Sequence, residues 1–470
     1  MKKGYRTSKN GWNYIQLSGT QSHCGYWHGR LLAKEISDAV REAKQLILLQ
    51  TGLDWDFFIS DPDSIVHRWE TVLKAQPYVQ FYEELDAVAS GVNAEIGGSA
   101  LTVTDLLLWN GYTELTEYWY PSVADDLYRK LPGPVIGSKT ISSQIPRGSR
   151  DHCSAFIATG SYTADGRVVL AHNSFTTYEN SNYSNVVLSI DPEDGYPMIM
   201  QATAGYIHSL ADFYLTSTGD RQGLMISETT LGGFHAYDPD GVPEFARIRY
   251  AVQYSGTLDE FAERFWQNNN GGYANTWLVG DIGSNEIMRF EAGLKFYRID
   301  KTKDGYYAGF NAPEDPRIRN LECTNTGFAD IRRHQGARQV RIPQLMEAYK
   351  GRLNTDTAQK IISDHFDVYL NKDNPCSRTV CSHYDLDDRQ FMSQAGRPLP
   401  FQPQGAVDGI AATALEAEEL ALWARWGSSC GMPFYAEDFL KTHPQFQYLS
   451  PYLKDRPSQP WTKFKAGEEI

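Results

Sequence analysis

Apolar positions change their period along this chain. In the first 125 or so residues they recur at helical spacing, over Leu31 to Gln50, Phe81 to Ile96 and Thr104 to Trp119. Gly52 stands where a left-handed C-terminal cap is wanted, and Thr102 or Thr104 can cap the third helix. A strand around Trp12 to Leu17 precedes them. From 153 to about 310 the runs shorten to strand length: Val186 to Ile190, Met198 to Ala202, Gly223 to Glu228, Thr276 to Val279 and Glu286 to Phe290. A helix over Leu258 to Gln267 interrupts them, and helical spacing returns at Val340 to Tyr349, Thr355 to Phe366 and Ala411 to Trp426. Strands in series followed by helices predict an α+β fold in which stacked antiparallel sheets are covered by helices.

Between these blocks, residues 128 to 151 hold Pro132, Pro134, Pro146 and three glycines among many Ser, Thr, Lys and Arg residues, with no sustained period. This reads as an exposed linker. It divides the chain into a mainly helical section, 1–152, ending in the linker (about 128–152), and a section 153–470 packed with it as one domain. Composition adds exclusions. With 58 acidic against 44 basic residues the net charge is −14, and no Lys/Arg cluster offsets it, so a nucleic-acid partner is not expected. No run approaches the length of a membrane-spanning helix, and no apolar stretch follows the basic start Met1 to Arg6 as a signal peptide would require. Six cysteines at 24, 153, 323, 376, 381 and 430 form no CxxC pair and no zinc spacing. Cys376 and Cys381 are close enough for a disulfide, with buried thiols as the alternative.

The stretch from Asp151-His152-Cys153-Ser154 onward carries the chemistry. Ala155 to Ala158 form an apolar run, Asp165-Gly166 is a hairpin turn signal and Val168 to Ala171 form the return strand, so Cys153 opens a β-hairpin immediately after the linker. A cysteine reacts as thiolate, and its ordinary pKa near 8.5 leaves little ionised at neutral pH. Cleavage of the His152–Cys153 bond would give Cys153 an α-amine, ordinarily titrating near 8, which can act as its base. The alternative is a small buried residue at a strand end. HExxH and EF-hand spacings and Gly-rich nucleotide loops are not found, so no metal and no cofactor is implied.

Several segments, in order, resemble the phospholipase B-like family within the N-terminal nucleophile (Ntn) hydrolases, which include penicillin acyltransferases and bile-salt amidases. They are Gly11-Trp12-Asn13-Tyr14-Ile15, Cys153-Ser154-Ala155, Ala171 to Tyr178, Ser227-Glu228-Thr229-Thr230, Tyr273 to Trp277, Gly405 to Asp408 and Trp461 to Phe464. The resemblance implies a four-layer αββα sandwich, a precursor processed between His152 and Cys153, and hydrolysis of an acyl ester or amide through a thioester. It assigns Cys153 as nucleophile, Asn275 as oxyanion donor, with a strand-end Asn satisfying a loop as the alternative, and His172, on the return strand, as a group that orients the amine or positions substrate, with a hydrogen-bonded core histidine as the alternative. Thr176, Thr229 and Thr230 become candidate substrate contacts, with ordinary strand roles as the alternative. Arg378 could fix a carboxylate or phosphate, or serve a structural ion pair; Asp408, between Gly405 and Gly409, reads as a turn residue. The expected substrate is a small acyl or lipid molecule, the alternatives being a non-peptide amidase or acyltransferase and a non-catalytic lipid-binding protein. The family allows a secreted, periplasmic or lysosomal location and a homo-oligomer. Tyr118-Trp119-Tyr120 could line an acyl-chain groove or belong to the core.

Overall fold

The computed structural model describes residues 4–98, 100–130, 153–324, 327–388 and 399–468. Its strands are β1 (Tyr5–Lys9), β2 (Trp12–Gly19), β3 (Cys153–Thr159), β4 (Val169–Thr177), β5 (Val186–Pro192), β6 (Met198–Ala202), β7 (Tyr214–Thr216), β8 (Leu224–Thr230) and β9 (Asn275–Asp281). Then follow β10 (Glu286–Ala292), β11 (Tyr297–Thr302), β12 (Gly305–Gly309), β13 (Phe366–Asp367), β14 (Lys372–Asp373), β15 (Gln404–Ala406), β16 (Asp408–Thr413), β17 (Ala421–Trp426) and β18 (Thr462–Lys465).

Nine strands make one sheet in the order β1-β2-β5-β6-β7-β8-β9-β10-β11, antiparallel except where β2 runs parallel to β5. A second sheet runs β12-β3-β4-β16-β17-β18, with β15 also paired to β4. The side-chain alternation of β3 and β4 shows the layering. Ala155, Ile157, Val168 and Leu170 pack between the sheets with Val187, Ile199 and Leu278 of the first sheet. Phe156, Ala158, Val169 and Ala171 point the other way, onto residues of the helices His334–Ala348 and Thr355–Ile361. The far face of the first sheet carries helices between Gln21 and Tyr120 and the pair Glu244–Tyr254 and Leu258–Trp266. The result is a four-layered α+β sandwich. Every residue of β3 and β4 is buried, as strands covered on both faces must be.

Most predicted elements are present with shifted ends. Thr102 caps its helix, Gly52 takes φ 73°, and the strands on either side of Leu258–Trp266 fall within a few residues of expectation. The helix expected over Ala411 to Trp426 is wrong. That Ala- and Leu-rich stretch forms β16 and β17 joined by a single turn, Ala414–Ala417, because β4 and β18 flank it and its small side chains fit the crowded layers of the sheet. Tertiary pairing here overrides helix propensity. The β3–β4 connection is also no tight turn. It spans residues 160–168, and Asp165 and Gly166 make a local turn within it, with Arg167 N–H donating to Asp165 Oδ1 at 3.0 Å. Tyr118, Trp119 and Tyr120 are core residues.

Helices Gln21–Leu31 and Val79–Ile96 cross in close contact through glycine. A Cβ on Gly29 would lie 2.1 Å from Val88 O, and one on Gly91 would lie 2.1 Å from Tyr26 O. Backbone is on the receiving side, so a larger residue must push the helices apart. Gly29→Val is therefore expected to lower unfolding stability by roughly 1–3 kcal/mol in a urea titration, whereas Leu48→Ala, at an exposed position, stays within about 0.5 kcal/mol.

Candidate active site

Cys153 begins β3, opposite Ser174 of β4, and though buried it is one of the residues lining a cleft. Aromatic and apolar side chains dominate the walls, among them Trp109, Tyr112, Phe175, Tyr183, Tyr206 and Leu210. The thiol donates to Glu228 Oε1 at 3.4 Å, and Tyr273 Oη donates to the same oxygen at 3.3 Å. His172 lies on β4 opposite Ala155, and one of its ring nitrogens, Cys153 Sγ and a Glu228 oxygen are all within 4.8 Å of one another.

The backbone of Cys153 is clamped from the other side. Its N–H donates to Asn311 Oδ1 at 3.4 Å. Arg338 on the helix His334–Ala348 donates to the Cys153 carbonyl, to Ser154 Oγ at 3.0 Å and to Asn311 Oδ1 at 2.8 Å. Asn311 in turn donates to Thr230 O at 2.8 Å, which ties β3 to the end of β8. Three non-glycine residues of this shell, Asp212, Tyr273 and Asn311, have left-handed φ values of 42°, 47° and 62°. Such backbone is uncommon and persists where the surroundings enforce it; for Asn311 they include Gln335 Nε2 and Gly232 N–H on its carbonyl.

Electrostatics in this shell are set by burial of acids. Burial, and then the charge of Glu228, push the Cys153 thiol well above its ordinary range. Glu228 is itself raised by burial and by Glu244, against the lowering effect of the thiol hydrogen bond. Asp212 is raised by burial and by Glu228, and Asp408 by burial to about 7. The thiol is protonated among carboxyl groups that resist ionisation, and among the described residues no cation makes a hydrogen bond to Glu228, Asp212 or Asp408, while Arg338 donates to the Cys153 carbonyl, Ser154 and Asn311. Burial pushes His172 down to about 3, so it is a neutral imidazole.

Of the residues singled out from sequence, Cys153 and Thr176 line the cleft and His172 stands beside the thiol. Thr229 is buried against Gly309, and Thr230 pairs with Asn275 across β8 and β9. Asn275 is fully buried, with neither side-chain amide atom hydrogen-bonded among the described residues. Arg378 is not brought to the cleft. It is buried against Asp367, with Nε to Oδ1 at 3.1 Å, and lies 3.5 Å from Asp387, so its role is the structural ion pair. Asp408 does more than hold a turn, because it opens β16 and accepts from Ser174 N–H at 2.9 Å and Ser174 Oγ at 3.1 Å, directly opposite Cys153. His152 and the rest of the linker from 131 onward lie outside the described residues. Reasoning from sequence missed the roles of Glu228, Tyr273, Asn311 and Arg338. For Glu228 a signal existed, a carboxylate inside an apolar strand; Asn311 and Arg338 are 158 and 185 residues from Cys153 and carried none.

Among the described residues two groups of side chains could hold a metal ion: Cys153, His172 and Glu228, and, in a separate place, His365, Cys381, His383 and Cys430. None of the six cysteines is in a disulfide, and Cys376 approaches Asp367 rather than Cys381.

Fold and site together define a four-layered α+β protein with a strand-opening cysteine, backed by a carboxyl group and a neutral histidine, at the base of an aromatic cleft. The chain belongs to the phospholipase B family, whose description matches residues 8–294. It is similar to human Phospholipase B-like 1 (Homo sapiens), with 23% identity over 353 residues, 68% of this chain and 60% of that protein. Bovine Phospholipase B-like 1 (Bos taurus) is 21% identical over 66% of this chain and 61% of its own. Putative phospholipase B-like 1 of Caenorhabditis elegans is 25% identical over 43% and 37%. The matches thus span about 60% of the length of the two mammalian relatives. Cys153, His172, Glu228 and Asn275 fall within the family match; Asn311 and Arg338 lie beyond it. Among the described residues no helix is long and apolar enough to cross a membrane.

A neutral buried His172 has a measurable consequence. Its folded pKa is below the unfolded value, so the unfolded chain binds the extra proton and stability falls as pH drops from about 6.5 toward 3. Between about pH 7 and about pH 5 the wild type should lose roughly 2 kcal/mol that His172→Gln keeps, read from urea midpoints at both pH values. His208, similarly depressed, is present in both proteins and cancels. Parallel pH dependences would show that His172 is not held neutral.

Proposed function

We propose that the chain is a self-processing cysteine Ntn hydrolase that deacylates a lipid ester in the phospholipase B-like manner. The observation that carries this reading is the Cys153 thiol at the head of β3, bonded to Glu228 and open to an aromatic cleft. In the processing step Cys153 Sγ attacks the carbonyl carbon of His152. The acyl group passes from nitrogen to sulfur, the amide nitrogen leaves protonated as the new α-amine of Cys153, and water hydrolyses the thioester to free the His152 carboxylate. The two products are the sections 1–152 and 153–470, which remain packed as one unit.

The acidic shell gives the step a direction. Glu228, Asp212 and Asp408 are buried acids without a hydrogen-bonded cation among the described residues, and an ammonium group created at Cys153 N would supply one at the point where Asn311 Oδ1 already accepts. Ionising even one of these acids beside a new positive charge is favourable in a site of low polarity. In turnover the neutral form of the α-amine takes the thiol proton, the thiolate attacks the acyl carbon, and the same proton goes to the leaving alcohol; water then releases the fatty acid. Asn275 donates to the developing oxyanion, His172 and Thr176 shape the acyl position, and Thr229 and Thr230 support the strand end. Arg338 holds the Cys153 carbonyl and so positions the nucleophile. The same machinery serves an amide as well as an ester, and the family relationship favours the ester of a lipid.

The test is intact mass with N-terminal sequencing of the wild type beside Cys153→Ala. The wild type is expected as fragments of about 17 and 36 kDa, in proportion to 152 and 318 residues, with a new terminus Cys-Ser-Ala, and it should release fatty acid from a diacylglycerophospholipid. Cys153→Ala stays at 53.1 kDa and releases none. Glu228→Gln keeps a hydrogen-bond partner for the thiol but cannot give up a proton to the departing amine, and should slow processing by about 100-fold. An uncut wild type that binds lipid without turnover, unchanged by Cys153→Ala, would replace this reading with a lipid-binding one.

A further inference from the structure

Behind β4, away from the cleft, four side chains from three separate segments converge. His365 follows the helix Thr355–Ile361, Cys381 and His383 lie in the loop before β15, and Cys430 lies in the loop after β17. One ligand atom of each is within 4.8 Å of all the others. His383 Nε2 is 3.5 Å from Cys381 Sγ and 3.5 Å from Cys430 Sγ. A tetrahedral zinc ion with Zn–S near 2.3 Å and Zn–N near 2.0–2.1 Å requires sulfur-to-nitrogen edges of about 3.6 Å. The two measured edges match that figure.

The surroundings are those of a metal site rather than of two thiols that happen to meet. Asp385 Oδ1 lies 3.8 Å from His383 Nδ1, the ring nitrogen turned away from the sulfurs, and Tyr178 Oη donates to the same carboxylate oxygen at 3.0 Å. A carboxylate behind a ligating histidine fixes its ring and strengthens it as a donor. Met432 N–H approaches Cys430 Sγ at 3.3 Å, the direction from which a backbone donor stabilises a bound thiolate. Cys381 and His383 are buried, while His365 and Cys430 are partly open and leave an entry path.

From this geometry we propose that His365, Cys381, His383 and Cys430 bind one structural zinc ion that ties three loops to the back of β4. Two sulfur and two imidazole donors in a tetrahedral arrangement suit zinc, and four protein ligands leave no open position for substrate. Binding displaces the two thiol protons into water and leaves a complex with no net charge. The loops it joins are the ones that hold the nucleophile strand. Asn173 Nδ2 donates to Ile362 O at 2.7 Å, to Val380 O at 3.1 Å and to Ser429 Oγ at 3.0 Å, while its Oδ1 accepts from Ser154 N–H at 3.2 Å. Each of those three partners sits within three residues of a proposed ligand.

Metal analysis of the full chain, purified without chelator and dialysed against zinc, tests the site, with cobalt(II) substitution as the spectroscopic readout. One zinc per chain is expected, and cobalt should give tetrahedral bands together with a thiolate charge-transfer band. Both are expected to vanish in Cys430→Ser and in His365→Ala and to persist in Cys24→Ser and Cys153→Ala. Asp385→Asn should weaken zinc retention about 10- to 100-fold in competition with a chromogenic chelator. Should the ligand variants fail to fold, the wild-type metal content and cobalt spectrum decide alone. Wild-type protein that takes up no metal, or peptide mapping that finds a Cys381–Cys430 disulfide, would overturn the proposal. Cobalt bands lost in Cys153→Ala would move the site to the cleft.

Discussion

The side-chain amide of Asn173 is the interaction on which the arrangement around Cys153 depends. It is fully buried in β4, reaches backbone and hydroxyl oxygens of three different loops, and accepts from the N–H of Ser154 next to Cys153. An amide so enclosed has no water to fall back on, so losing any partner leaves a buried polar atom unsatisfied. The loops must therefore be in place before β3 can seat its first residue. Ser174, the next residue, repeats the logic toward Asp408. The start of β3 is thus fixed by consecutive residues of its neighbour strand, one bonded to the loops behind the sheet and one to β16.

Against that rigid backing the shell in front of the thiol is held under tension. Glu228, Asp212 and Asp408 are acids taken out of water and, among the described residues, without a hydrogen-bonded cation, and three neighbouring residues keep left-handed backbone. Buried charge without a partner is costly, and the raised pKa values are how the protein avoids it. Arg338 donates to the Cys153 carbonyl and to oxygens of Ser154 and Asn311, and among the described residues it makes no hydrogen bond to Glu228, Asp212 or Asp408. The arrangement stabilises where Cys153 sits and leaves its thiol uncharged.

The legible part of this molecule is what is local in sequence. A strand-length apolar run after a Pro/Gly-rich stretch makes Cys153 stand out, and short apolar runs locate most of the strands of the first sheet. Ala411 to Trp426 misled because alanine and leucine satisfy a helical pattern equally well, and only the neighbouring strands decide for sheet. Arg378 carried a charge suited to an anion, but its partner Asp367 is supplied by a short β-hairpin that has no strong sequence signature. Asn311 and Arg338 were illegible because their meaning comes from a carbonyl and an N–H far away in the chain. The Cys/His cluster was missed for a related reason. Its ligands lie on three loops, Cys430 being 47 residues from His383, so no compact spacing reveals them.

The N-terminal section is woven into the first sheet and not appended to it. β2 pairs in parallel with β5 from Asn13↔Val186 to Gly19↔Pro192, and Trp12 packs edge-on against Trp426 and Phe464 near the other end of the chain. If the backbone is opened before Cys153, neither piece owns a complete core, so the mature protein would be an obligate complex of two polypeptides. Its unfolding would become a dissociation, with a midpoint that shifts with protein concentration, and refolding would have to find a second molecule. A chain that assembles itself once, while still continuous, would then persist by the slowness of its unfolding rather than by its ability to fold again.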